Sequence, residues 1–140
     1  MTMARILIII AVLGFAAYWY KNHNVSSSAA AQKSQNGFIS VIMPDGAAAN
    51  SVVILAPLNC PSDAAQRADA LSARLTELGI PNVRSSSFSA NIAAPTDEQS
   101  AAMKRSISIL NGDIPAVFLR GMGKANPTAA EVAAEYRRTR

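Results

Sequence analysis

The sequence predicts an α/β domain, a sheet with flanking helices and one extra N-terminal strand, preceded by a single N-terminal transmembrane helix. Three observations support this prediction. Residues 6–20 form an uninterrupted apolar and aromatic run. Residues 21–36 are polar or small and have no apolar period, which is typical of a flexible linker. From residue 37 to residue 140, β-rich segments alternate with segments of helical periodicity.

The apolar run at residues 6–20 is interpreted as an uncleaved membrane anchor (a signal-anchor). It ends in Tyr-Trp-Tyr-Lys at residues 18–21, a composition typical of the membrane interface. Its helix would span about 22 Å, and residues 1–5 extend it toward the roughly 30 Å hydrocarbon core. The alternative is a secretory signal cleaved near residues 29–31. We expect a single-pass membrane protein of the cell envelope, with its domain on the exported side, periplasmic or extracellular.

The net charge of +4 is concentrated in the N-terminal segment. Of thirteen basic residues, three lie among the first 36 positions, which contain no acid. The remaining chain therefore carries ten basic and nine acidic residues. This balance, without a basic stripe and interleaved aromatics, predicts no nucleic-acid partner.

Cysteine and histidine usage limits the possible chemistry. The chain has one cysteine, Cys60, and one histidine, His23, in the linker. A single cysteine excludes an internal disulfide. One cysteine and one histidine are also too few ligands for a typical Cys/His zinc site. A domain without histidine also disfavours Ser-His-Asp and Cys-His catalysis. We expect no metal and no cofactor, and the sequence favours a protein that is not an enzyme.

The first half of the domain predicts two strands and a helix. Residues 38–43 predict a strand that ends at the Pro-Asp-Gly turn of residues 44–46. Residues 51–56, rich in β-branched side chains, predict a strand buried on both faces. The helix that follows ends at Gly79, and its apolar positions share one face: Ala64, Ala68, Leu71, Leu75 and Leu78.

The second half predicts further strands at residues 82–88 and 114–119, with a turn or short edge strand at 121–123. A capping box at residues 96–99, Thr-Asp-Glu-Gln, opens a helix that ends at Gly112. Its predicted inward residues are Met103, Ile107 and Leu110, and its predicted outward residues are Lys104 and Arg105. A last helix is predicted to begin at Asn126-Pro127 and to bury Ala129, Val132, Ala133 and Tyr136.

From residue 51 to residue 138, this order resembles the thioredoxin-like superfamily, glutaredoxins in particular. Cys60-Pro61-Ser62-Asp63 is similar to the redox motif Cys-Pro-x-Cys, with aspartate in place of the second cysteine. Ile114-Pro115, which opens a strand, is similar to the family's cis-proline, and a short hairpin precedes the terminal helix. The resemblance implies a thioredoxin-like fold for residues 37–140. Without the second cysteine, dithiol oxidoreductase chemistry is not expected.

The candidate site centres on Cys60. If Pro61 is the first helical residue, Cys60 caps the helix, and unpaired N–H groups would lower the pKa of its thiol. Asp63 opposes that shift, and Arg67 is expected to pair with Asp63. The opposing interpretation is an inert cysteine in a scaffold that has lost its chemistry. Cys60 is the predicted catalytic residue if the protein is redox-active, and the predicted site-shaping residues are Asn59, Pro61, Asp63, Ile114 and Pro115.

Two function classes remain. The first is a membrane-tethered thioredoxin-like module that is not an enzyme and binds a protein partner at the membrane or in the cell envelope. The alternative is a monothiol redox protein in which Cys60 forms mixed disulfides with glutathione or a client protein. The reactivity of Cys60 toward a thiol probe at about pH 6 distinguishes them.

Overall fold

A computed structural model describes residues 14, 15, 18, 33–58 and 61–140. The chain divides into two compact units, Met1–Lys33 and Ser34–Arg140. In the first unit, Gly14, Phe15 and Tyr18 are helical, and the rest of the predicted anchor at residues 6–20 lies outside the described residues. Among the helices that the structure describes, none combines the length and apolar character needed to cross a membrane. The second unit begins three residues before the predicted domain start at residue 37.

The described part of the second unit contains five strands and three helices in the predicted order. The strands are β1 (Ile39–Ser40), β2 (Val52–Leu55), β3 (Asn82–Ser85), β4 (Ala116–Leu119) and β5 (Met122–Ala125). The helices are α1 (Asp63–Glu77), α2 (Asp97–Leu110) and α3 (Ala129–Arg138). The predicted α/β class is confirmed, although β1 is shorter than the predicted strand at residues 38–43.

The five strands form one mixed sheet in the order β1-β5-β4-β2-β3. β2 is parallel to β3, with Val53 opposite Val83, and antiparallel to β4, with Val53 also opposite Phe118. β4 and β5 form an antiparallel hairpin, and β1 adds to the edge of β5. Every residue of β2 and of β4 is buried. The prediction that both strands lie inside a covered sheet is confirmed.

Helices α1 and α3 cover one face of the sheet. That face holds a core cluster with Ile54, Leu75 and Val132 among its fully buried members. Ala68, Leu71 and Leu75 of α1 are buried as predicted. Leu78, also predicted to face inward, is instead the C-terminal cap of α1 and is exposed. Gly79 follows with φ of +70°, a left-handed conformation in which glycine has no steric penalty.

Helix α2 covers the opposite face, but it is rotated from the predicted orientation. Its buried residues are Ala102, Ser106 and Ile109. The predicted inward residues Met103 and Leu110 are half-buried, and Ile107 is 49% exposed. The prediction from the larger apolar side chains was therefore wrong by about one position along the helix.

Two polar side chains explain the rotation of α2. The hydroxyl of buried Ser106 accepts the N–H of Ile42 at 3.0 Å and lies 3.1 Å from the Ile42 carbonyl oxygen. Arg105, predicted to face outward, is mostly buried and donates to the carbonyl of Ser40. These bonds satisfy backbone groups of Ser40 and Ile42. The two-residue strand β1 is too short to pair those groups with a neighbouring strand. Polar pairing therefore decides which side of α2 faces the sheet.

Helix α3 starts later than predicted. Thr128 is its N-cap, and Thr128 and Glu131 form a capping box. Asn126, the predicted cap, has φ of +46° and lies in the turn before the helix. Val132, Ala133 and Tyr136 are buried as predicted. The capping-box spacing of threonine and glutamate outweighs the Asn-Pro pair as a start signal.

Glu135 of α3 is a fully buried carboxylate, at 0% exposure. Arg138 donates to it, and so does the Nδ2 of Asn36 at 2.9 Å. Burial raises the pKa of Glu135, but hydrogen bonds from Arg138, Asn36 and Ser34 outweigh it, so its pKa lies below the ordinary value. The Glu135 carboxylate thus links Asn36, near the start of the second unit, to α3.

One end of the sheet, here called the closed end, is defined by Asn50, Arg120, Tyr136 and Thr139. Arg120 lies in the tight β4–β5 turn with φ of +45°. Its Nη1 donates to the Tyr136 carbonyl at 3.0 Å and to Thr139 Oγ1 at 3.3 Å. Its Nη2 donates to Asn50 Oδ1 at 3.1 Å, and its guanidinium carbon lies 4.5 Å from the centre of the Tyr136 ring. One side chain therefore joins the turn, α3 and the loop before β2.

Candidate functional site

The opposite end of the sheet contains the junction between β2 and α1. Ser62 has an extended backbone and caps α1, and its Oγ accepts the N–H of Ala65 at 3.3 Å. Pro61 is therefore not the first helical residue, and the condition under which Cys60 would cap the helix is not met. Asp63 is the first helical residue, where its carboxylate interacts favourably with the helix dipole.

Cys60 and Asn59 lie outside the described residues, so their predicted roles in the site stay predictions. A lowered pKa of the Cys60 thiol was expected only if Cys60 occupied the capping position. Since Ser62 occupies that position, the capping argument no longer supports a reactive thiolate.

The Ile114-Pro115 peptide bond is cis, as predicted. Pro115 is fully buried, and its carbonyl accepts the N–H of Asn126 at 2.7 Å. The carbonyl of Ile114 accepts two bonds from Arg67 of α1, from Nε at 3.3 Å and from Nη2 at 3.0 Å. Arg67 was predicted to pair with Asp63, and within the described residues it bonds Ile114 instead. Arg67 therefore fixes α1 against the segment that enters β4.

An apolar groove of about 530 Å³ lies at this end of the sheet, and we call this the groove end. Eight of its nine lining residues are apolar, the exception being Ser86. Leu58, two positions before Cys60, lines it and is 48% exposed. The lining residues are Leu55, Ala56, Pro57, Leu58, Ser86, Phe88, Leu110, Ile114 and Ala116.

Several elements build the apolar groove. Leu55 ends β2, Ala116 begins β4 opposite it, and Leu110 ends α2. Phe88, beyond β3, is fixed by its ring contact with Phe118, the centroids lying 5.4 Å apart. The groove thus lies where β2 stops and the backbone turns toward α1, a common place for ligand sites in α/β sheets.

Arg84 of β3 lies at the same end. Its Nε donates to Asp69 at 3.0 Å, and its Nη2 contacts the carbonyl of Pro57 at 3.4 Å. Its Nη1 is buried and forms no hydrogen bond with the described residues. A buried donor without a partner is destabilising, and among the described residues Arg84 Nη1 is the one buried side-chain donor in this state.

The described groove end presents mainly apolar side chains. Its apolar lining can take hydrophobic side chains. Among the residues that the structure describes, there is no group of three or more His, Cys, Asp or Glu side chains suited to a metal ion. The sequence identified Ile114 and Pro115 at this end but not Leu58, Phe88 or Arg84. The one sequence signal for Leu58 was its position two residues before Cys60. Phe88 and Arg84 had no such signal, because only the pairing of strands in the sheet brings them to this end.

Comparison with known proteins identifies no relative of this chain. No protein-family description, no curated protein and no solved structure matches it.

Proposed function

We propose that the chain is a membrane-tethered, thioredoxin-like module that is not an enzyme and binds a protein partner through the apolar groove. The observation that carries the proposal is the groove itself, about 530 Å³, in which eight of the nine lining residues are apolar. Leu58 lines the groove and is 48% exposed, so it adds to the apolar surface available to a partner.

The thioredoxin-like part of the proposal has three supports. The element order after β1 is the order on which the resemblance rests. Pro115, the residue that resembles the family's cis-proline, is preceded by a cis peptide bond. The β4–β5 hairpin leads into a terminal helix, α3, as the resemblance implies.

The tether is proposed from composition. An apolar run at residues 6–20, flanked by aromatic residues and Lys21, has the character of a membrane anchor. N-terminal sequencing of the membrane fraction should therefore find a start at or near Met1. A mature protein in the soluble fraction that starts near Gln32 would contradict the tether and leave the groove proposal untouched.

Site-specific photo-crosslinking of the full chain in its native membranes tests the binding proposal. A photoreactive residue at position 58 should give a discrete adduct with one protein. The same residue at position 137, an exposed site on α3, serves as the control. The substitution Leu58→Asp should abolish binding of the identified partner, because it places a charge against an apolar lining. Equal adducts at both positions, or none at position 58, would refute the proposal.

The second candidate function is the monothiol redox protein. It rests on the resemblance, in which Cys60 occupies the position of the redox cysteine and Pro115 that of the proline beside it. The Cys60 thiolate would attack oxidised glutathione, forming a mixed disulfide and releasing one glutathione thiolate. A midpoint below about pH 7 in the alkylation profile of Cys60, with glutathione adducts in the isolated protein, would favour this function. A midpoint of about 8.5 would favour the first.

A further inference from the structure

A second groove lies on the other side of the Ile114-Pro115 peptide, between α1 and the turn that enters α3. Its volume is about 300 Å³. Its floor is apolar, with Leu71, Pro115 and Pro127 among the lining residues, and two arginines of α1, Arg67 and Arg74, also line it. We call it the basic groove.

The two arginines are positioned to act together. Residues seven apart on a helix lie two turns apart on the same face. Two of the donor nitrogens of Arg67 bond the carbonyl of Ile114, which fixes its guanidinium at the groove. Arg74 pairs with Glu77 at 2.8 Å, but both side chains are more than half exposed. Such a surface pair is weak, so an incoming carboxylate can replace Glu77.

The rest of the lining adds positive potential. The groove includes Thr128 and Ala129, at the N-terminal end of α3, where the helix dipole is positive. None of the described residues that line the groove is acidic. Glu131, in the first turn of α3, bonds Lys124 and the N–H of Thr128 instead. A negatively charged ligand would therefore meet two guanidinium groups, and it would have to displace Glu77 from Arg74, while the Glu131 carboxylate stays on the N–H of Thr128.

We propose that the basic groove binds an acidic segment of the protein partner, a short extended peptide with at least one Glu or Asp side chain. The complementary charge supports this occupant, because guanidinium groups bind carboxylates with paired, charge-assisted hydrogen bonds. A volume of about 300 Å³, at the low end for ligand sites, suits a few extended residues. The proposal rests on the proposed function, in which the partner covers this end of the sheet.

The test uses the full chain in non-ionic detergent and two fluorescent pentapeptides, Ser-Glu-Leu-Glu-Ser and its glutamine counterpart Ser-Gln-Leu-Gln-Ser. The glutamate peptide should bind at least about tenfold more tightly at low salt, and added salt should weaken its binding. Arg74→Gln and Arg67→Gln should each weaken it by about fivefold. Arg74 makes no bond to Ile114, so its variant keeps the test valid if Arg67→Gln disturbs the fold.

Arg137→Gln is the matched control, since it removes the same charge from an exposed site at the far end of α3. Equal binding of the two peptides, or an equal loss in the control, would overturn the proposal. So would binding of anionic lipid vesicles that requires Arg67 and Arg74 without binding of the glutamate peptide. If the crosslinked partner at position 58 persists unchanged when both arginines are replaced, the proposed function stands and the acidic segment is refuted.

Discussion

The two ends of the sheet differ in how completely one arginine at each end is hydrogen-bonded. At the closed end, Arg120 bonds two other elements and lies over an aromatic ring. At the groove end, Arg84 has a buried Nη1 without a partner among the described residues. The first arrangement stabilises the fold. The second leaves one buried donor without a described partner at the end of the sheet that holds the apolar groove, so we expect Arg84 to contribute less to stability than Arg120.

The largest effect is expected at the closed end. Arg120→Met removes three hydrogen bonds and the ring contact while keeping an aliphatic side chain, and should lower the free energy of unfolding by about 2 kcal/mol. Urea denaturation of the full chain in detergent measures it. A loss no greater than that of Arg137→Gln would remove the distinction between the two ends.

Glu135, one residue before Tyr136, should give the next effect, and it depends on pH. Glu135→Gln should cost about 1.5 kcal/mol at neutral pH, because the hydrogen bonds to the carboxylate lose their charge. Since the folded state lowers the pKa of Glu135, its contribution is fully present above the ordinary glutamate pKa of about 4.3. It is lost as the pH falls through the lower, folded-state pKa.

The measurement is the free energy of unfolding as a function of pH for the wild type and Glu135→Gln. The two curves should be separated at neutral pH and converge in acid. Glu77→Gln, which alters an exposed pair, is the control and should not show this convergence. Parallel curves for the wild type and Glu135→Gln would contradict the assigned role of the carboxylate.

A smaller effect is expected for Arg84→Met at the groove end. The substitution removes a bond to Asp69, whose side chain is 71% exposed, and a long contact to Pro57. It also removes the unsatisfied donor, so we expect a loss of about 0.5 kcal/mol, well below that of Arg120→Met. A loss as large as that of Arg120→Met would show that both ends contribute equally to stability.

The smallest effect is expected for Cys60→Ser. The cap of α1 is Ser62, so the start of the helix does not depend on residue 60. Thermal and urea unfolding should change by less than about 0.5 kcal/mol, and crosslinking from position 58 should be unaffected. Loss of the crosslinked partner in this variant would favour the monothiol function instead.

The sequence alone predicted most of the fold, since its signals are local. Period-two and helical patterns located the strands and helices, and Thr96 with Gln99 marked the start of α2. The cis bond at Pro115 followed from the resemblance. Of the site, Ile114 and Pro115 were predicted, and the structure places both at grooves.

Only the tertiary structure decided which polar groups meet. The face of α2 depends on the bond from Ser106 to Ile42, 64 residues away in the chain. Arg67 bonds Ile114 rather than its helical neighbour Asp63 because β4 brings that carbonyl beside α1. The burial of Glu135 likewise needs Asn36, 99 residues away. Local patterns record which side chains avoid water, whereas the pairing of buried polar groups depends on long-range geometry that no short stretch of sequence contains.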